Sequence, residues 1–145
     1  MGSHLTKAVG FILAVLSLTA ATPFLNAQIT NAIHAHIGHS FIVGNTTYPA
    51  GEYTFRMLPG SDLFIMSVTN ENDTTSGEFT VRESEDGHRP NHSELVFKKY
   101  GNDEFLAKVY EGESKTGVAV TETSRQEARL VKQGQQAEEH TEEQR

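Results

Sequence analysis

Residues 41–55 read FIVGNTTYPAGEYTF, short apolar runs broken by turn residues, and this stretch decides the fold. Phe41 and Val43 alternate with Ser40 and Ile42, the two-residue period of a strand. Gly44-Asn45 supplies the residue types that most readily take a positive φ, so the chain is expected to turn there. Tyr48 precedes Pro49 and is thereby biased towards extended backbone. Pro49-Ala50-Gly51 fits a type II turn, with a positive φ expected at Gly51. Tyr53 and Phe55 then alternate with Glu52, Thr54 and Arg56, which places the aromatics on one face. The stretch thus predicts strand, turn, short extended piece, second turn and strand. Read instead as a phosphate-binding loop, it lacks the helix start and the lysine that would complete one.

Working outward, Ile29, Ile33, Ala35 and Ile37 share one face of an extended segment, and Ala32, His34 and His36 share the other, giving a first strand. Downstream, Pro59-Gly60-Ser61-Asp62 is a turn, and residues 63–68 are an apolar run short enough for a buried strand. Phe79 and Val81 alternate inward within residues 78–82. Residues 95–100 and 104–110 form a hairpin through Gly101-Asn102-Asp103, and residues 117–120 a last strand. Seven or eight short strands at regular spacing predict an all-β domain over residues 28–121, an antiparallel sandwich or small barrel. Ser124-Arg125-Gln126-Glu127 then matches a capping box at the start of a short helix over residues 122–134. Its apolar stripe is thin: Ala128, Leu130 and Val131. Residues 135–145 are rich in Gln and Glu with no large apolar side chain, and a disordered tail is expected.

The runs Phe41-x-Val43-Gly44 and Pro49-Ala50-Gly51-x-Tyr53 resemble a family of small exported bacterial proteins of unknown function. So do Leu95-Val96-Phe97, Tyr100-Gly101, Phe105-Leu106 and Val109. The resemblance spans residues 33–110. Its motifs are turn glycines and core aromatics, so it implies a shared all-β fold and no chemistry. Members of that family often carry Pro and Phe where this chain has Gly38 and His39, a departure that bears on how the first strand packs.

The 145-residue chain opens with a segment that reads as a secretory signal over residues 1–27. Lys7 provides the positive charge, residues 8–21 the apolar run, and Leu25-Asn26-Ala27 a cut site. Thr19-Ala20-Ala21 is the alternative cut. The run is shorter than the ~20 residues of a spanning helix. A secreted or periplasmic location is therefore expected. The chain is acidic, with net charge −7, and that one segment carries a lysine and no acid, so the remainder is more acidic still. An acidic surface argues against nucleic acid and against anionic membranes as partners. With no cysteine, the domain must rest on packing or assembly without disulfides.

Three functional readings follow. His34 and His36, at i and i+2 on one face, present two imidazoles together, suited to Zn²⁺, Cu²⁺ or Ni²⁺. Further ligands would come from His88 or His92 in the long polar connection. His39 falls on the opposite face unless the chain twists near Gly38. The alternative is that His34 and His36 are solvated polar residues of an amphipathic strand, with no metal or other cofactor involved. Enzyme activity is not expected: no nucleophile elbow and no H-E-x-x-H are present. The principal reading is a non-enzymatic structural or binding module. Its first strand, through Ile29, Ile33 and Ile37, either completes its own domain or inserts into a neighbouring copy as an assembly strand.

Overall fold

The computed structural model describes residues 29–60, 63–73, 75–84, 86–114 and 117–144. The signal segment expected over residues 1–27 lies outside the described residues. The stretch that opened the reading folds largely as expected: β2 (Phe41–Val43), β3 (Thr46–Tyr48) and β4 (Gly51–Leu58) follow one another across two turns. Gly44 takes a φ of +57°, left-handed backbone that permits the tight β2–β3 hairpin. Gly51 does not take the expected positive φ. It is instead the first residue of β4, opposite Ile37. A Cβ there would stand 3.1 Å from the Asn70 side-chain nitrogen, so close approach accounts for the glycine.

β1 (Ile33–Ile37) pairs antiparallel with β4, from Ile33 opposite Phe55 to Ile37 opposite Gly51. β5 (Ile65–Asn70) and β6 (Ser76–Ser84) continue an antiparallel meander from β4. β7 (Glu94–Tyr100) and β8 (Asp103–Tyr110) are the predicted hairpin, with Gly101 at a φ of +63°. β9 (Gly117–Val120) joins β6 to β8. The order runs β1-β4-β5-β6-β9-β8, with β7 on the other side of β8. β2 meets β8 in parallel at Ile42 and Phe105, which makes the sheet mixed. Ten strands are present among the described residues, more than the seven or eight expected, and the sheet does not close into a barrel.

Alternation along these strands builds one inner layer. Ile33, Ala35, Ile37, Phe41, Tyr53, Phe55, Met66, Val68, Phe97 and Val109 are all buried in it. Each such side chain contributes roughly 1.5–3 kcal/mol on burial. Phe41 stacks on Tyr48 with ring centroids 5.2 Å apart and meets Tyr53 edge-on at 5.1 Å. Leu106 and Val109 both face this layer although they are three apart, because a bulge opposite Val96 and Phe97 inserts Ala107 into β8. The same phase turns Glu104 towards the interior beside Leu106. Two further expectations need correction. Leu63 and Phe64, read as part of a buried strand, are 64% and 40% exposed, and β5 begins only at Ile65. Apolar character alone could not separate that loop from the strand that follows it.

β2 is buried on both faces, which explains its unbroken apolar sequence. Ile42 looks away from the main core into a second cluster with Tyr100 and Phe105, covered by Leu130. Leu130 belongs to α1 (Arg125–Lys132), whose N-cap Ser124 accepts from the Glu127 N–H at 2.8 Å. The Arg125 N–H donates to Asn45 Oδ1 at 2.9 Å, fixing the helix start against the β2–β3 turn.

The second correction concerns residues 135–145. The expected disordered tail is instead β10 (Glu138–Glu143), a full antiparallel partner of β7. Its backbone is satisfied by the free edge of β7, a source of pairing that hydrophobicity does not report. Glu138 and Glu139 stand opposite Lys99 and Lys98, opposite charges across the ladder.

Candidate metal centre

β10 alternates like any strand, so His140, Glu142 and Gln144 share its inner face while Glu139, Thr141 and Glu143 point out. His140 is paired across the ladder with Phe97, at the rim of the core. His39, two residues beyond β1, reaches the same place from the opposite edge of the sheet. Its ring meets Phe97 edge-on at 4.9 Å and His140 edge-on at 5.4 Å. Phe97 is thus the apolar floor under two imidazoles.

Glu104 on β8 lies between them. Its Oε2 accepts from His39 Nε2 and from His140 Nδ1, each at 2.8 Å. Glu142 Oε1 is 3.6 Å from His39 Nε2 and 3.9 Å from His140 Nε2. The donor atoms of His39, His140 and Glu142 all lie within 4.8 Å of one another. Donors on a tetrahedral Zn²⁺ stand about 3.3–3.5 Å apart, so these side chains are near the spacing one ion imposes.

Charge points the same way. The Glu104 side chain is only 8% exposed and that of Glu142 21%, yet the cation nearest the pair is Lys99, 3.7 Å from Glu104 Oε1. Two carboxylates drawn out of water carry a large desolvation cost, offset at Glu104 by Lys99 and the two imidazole bonds but not at Glu142 Oε2. Among the described residues, Glu142 Oε2 and His39 Nδ1 are buried without a hydrogen-bond partner. Two imidazoles and a carboxylate oxygen beside a second carboxylate form a donor set for a divalent transition metal. Glu104, bonded to His140 Nδ1, is placed to orient that ring while its Nε2 faces Glu142.

The histidines singled out from sequence lie elsewhere. His34 and His36 do share the exposed face of β1, as their spacing predicts. Each turns to its own glutamate: His34 Nδ1 to Glu71 at 2.8 Å and His36 Nδ1 to Glu52 at 2.5 Å. Glu71 is held below the usual carboxylate range, chiefly by the Thr54 hydroxyl and then by His34. His88 pairs with Glu94 at 2.7 Å, and His92 lies 3.6 Å from Glu143, so neither reaches His34 or His36. His39, expected on the opposite face, is the histidine that enters the cluster. Its partners went unread because residues 138–143 carry no apolar side chain. The available signal was the spacing of His140, Glu142 and Gln144.

A separate polar cleft of about 450 Å³ is lined by Asp86, His88, Glu94, Lys108 and Tyr110. There the Tyr110 hydroxyl donates to Asp86, and Lys108 Nζ lies 3.1 Å from the same carboxyl. The Tyr110 bond is the main reason the Asp86 carboxyl falls to about 2, while burial pushes the Tyr110 hydroxyl up. These groups satisfy one another.

No family profile, curated protein or solved structure matches the chain.

Proposed function

We propose that this chain is an exported, non-enzymatic binding module whose ligand is a divalent transition-metal ion, Zn²⁺ or Cu²⁺. The observation that carries the reading is the convergence of His39, His140 and Glu142, from two edges of the sheet, within 4.8 Å of one another beside the buried Glu104. His39 and His140 supply nitrogens, Glu142 an oxygen, and Glu104 orients His140 and adds charge. The export part rests on the signal-like residues 1–27. The first strand is the weaker route to self-assembly, since Ile29, Ile33 and Ile37 already lie in their own core.

Titrating Zn²⁺ into the full chain at neutral pH tests this. At a free ion concentration of one hundred times Kd, binding stabilises the fold by about 2.7 kcal/mol, a readily measured rise in Tm. The His39→Ala/His140→Ala variant loses that rise and His34→Ala/His36→Ala keeps it. A rise that instead follows His34 and His36, or no rise at all, overturns the proposal.

A further inference from the structure

We infer that the ion acts as a pin for the C-terminal strand: its occupancy sets whether β10 stays docked on β7. The inference rests on the metal-binding reading above. Of the three donor residues, His140 and Glu142 belong to β10, whereas His39 follows β1 on the far side of the opening in the sheet. One ion therefore bridges β10 and the β1–β2 connection. Outside the histidine–glutamate cluster itself, the bond from the His36 N–H to Gln144 Oε1, at 2.9 Å, also links the two sides.

β10 is suited to be pinned because little else holds it. Its inward side chains, His140, Glu142 and Gln144, are all polar, and none of its residues belongs to either apolar cluster. Among the described residues it is held by the ladder to β7, the Gln144 N–H bond to the Ser93 carbonyl at 2.7 Å, the His36 bond to the Gln144 side chain, the exposed His92–Glu143 pair at 3.6 Å and the polar cluster itself. Elements with few buried apolar contacts open at the lowest free energies in a native structure. Once β10 lifts, His39 is the only one of the three donors left in place. The docked state then binds the ion and the open state does not, so each shifts the other by mass action. Loss of the ion raises the share of molecules in which the β7 edge from Glu94 to Lys99 is uncovered.

Hydrogen exchange on the full chain, with Zn²⁺ and with a chelator, tests the coupling, and calorimetry on the same samples measures binding. With free Zn²⁺ at one hundred times Kd, exchange of the residue 138–143 amides is expected to slow by about a hundredfold. Amides of the β4–β5 ladder are expected to change far less. His39→Ala, which changes no residue of β10, should abolish both the heat and the selective slowing. Binding heat with unchanged exchange in β10, or with equal slowing throughout, overturns the pin and leaves the metal site standing. Absence of binding heat overturns both.

Discussion

The side chain of Gln144 accepts a hydrogen bond from the backbone N–H of His36 at 2.9 Å, across a gap that no described strand fills. Gln144 is buried, and its own N–H is bonded to Ser93, so the side chain is held in place. Nearby, the N–H groups of Thr30 and Asn31 donate to the Glu111 carboxylate at 3.2 and 3.3 Å. Side chains thus satisfy backbone groups that an edge strand would otherwise offer to another molecule.

Replacing Gln144 by Leu is expected to cost about 1–3 kcal/mol, because it strands the His36 N–H while keeping similar bulk. Urea unfolding measures this. An unchanged midpoint would mean that water replaces the glutamine at no cost.

Gly77 lies directly under Tyr48. A Cβ at that position would overlap the Tyr48 hydroxyl and stand 3.3 Å from the ring carbon that bears it. Tyr48 is buried and stacked on Phe41, so it has little room to retreat. Gly77→Ala is therefore expected to lose about 1–3 kcal/mol. In a Tyr48→Phe background, which removes the overlapping oxygen, much of that loss should disappear. Additive effects in the double-mutant cycle would refute the contact.

Gly51→Val should also destabilise, by about 1–3 kcal/mol, through pressure on Asn70. Asn70 Oδ1 accepts from the Asn72 and Asp73 N–H groups at 2.9 and 3.3 Å, and so organises the β5–β6 turn. The origin of the cost is testable by size. If it is crowding, Gly51→Ala loses clearly less than Gly51→Val, whereas equal losses would point to the backbone.

The Asp86 carboxyl, near 3.8 ordinarily, falls to about 2 in the folded protein, first because the Tyr110 hydroxyl donates to it. A depressed folded value means that the unfolded chain binds more protons between these two values. The associated stability is fully present above about pH 4 and is lost as pH falls through about 2. Urea midpoints followed from pH 5 to pH 2 should drop less steeply in Tyr110→Phe than in the parent. Parallel curves would show that the hydroxyl does not set the carboxyl.

The β-rich architecture was legible because turn chemistry and two-residue alternation agree over most of the chain. The pairs Phe41/Val43, Tyr53/Phe55 and Phe79/Val81 each mark an inner face that the structure confirms. The centre was only half legible. His39 could be placed opposite His34 and His36 by counting, but what it faces depends on β10. That strand docks through backbone pairing and polar side chains, neither of which raises local hydrophobicity. Glu104 was likewise hidden: it reads as a surface residue of a hairpin until the strand order brings two imidazoles over it.

The parallel contact between Ile42 and Phe105 has a consequence in time. The β4–β5–β6 meander and the β7–β8 hairpin join neighbours in the chain, so each can condense early at small loop-closure cost. β2 finds β8 only after both units exist, and β10 can zip onto β7 only once that hairpin stands. Assembly is therefore expected to finish at the two borders of the sheet, where β1 and β10 meet. The last contacts to form are then also the first to be given up, and the histidines sit among them.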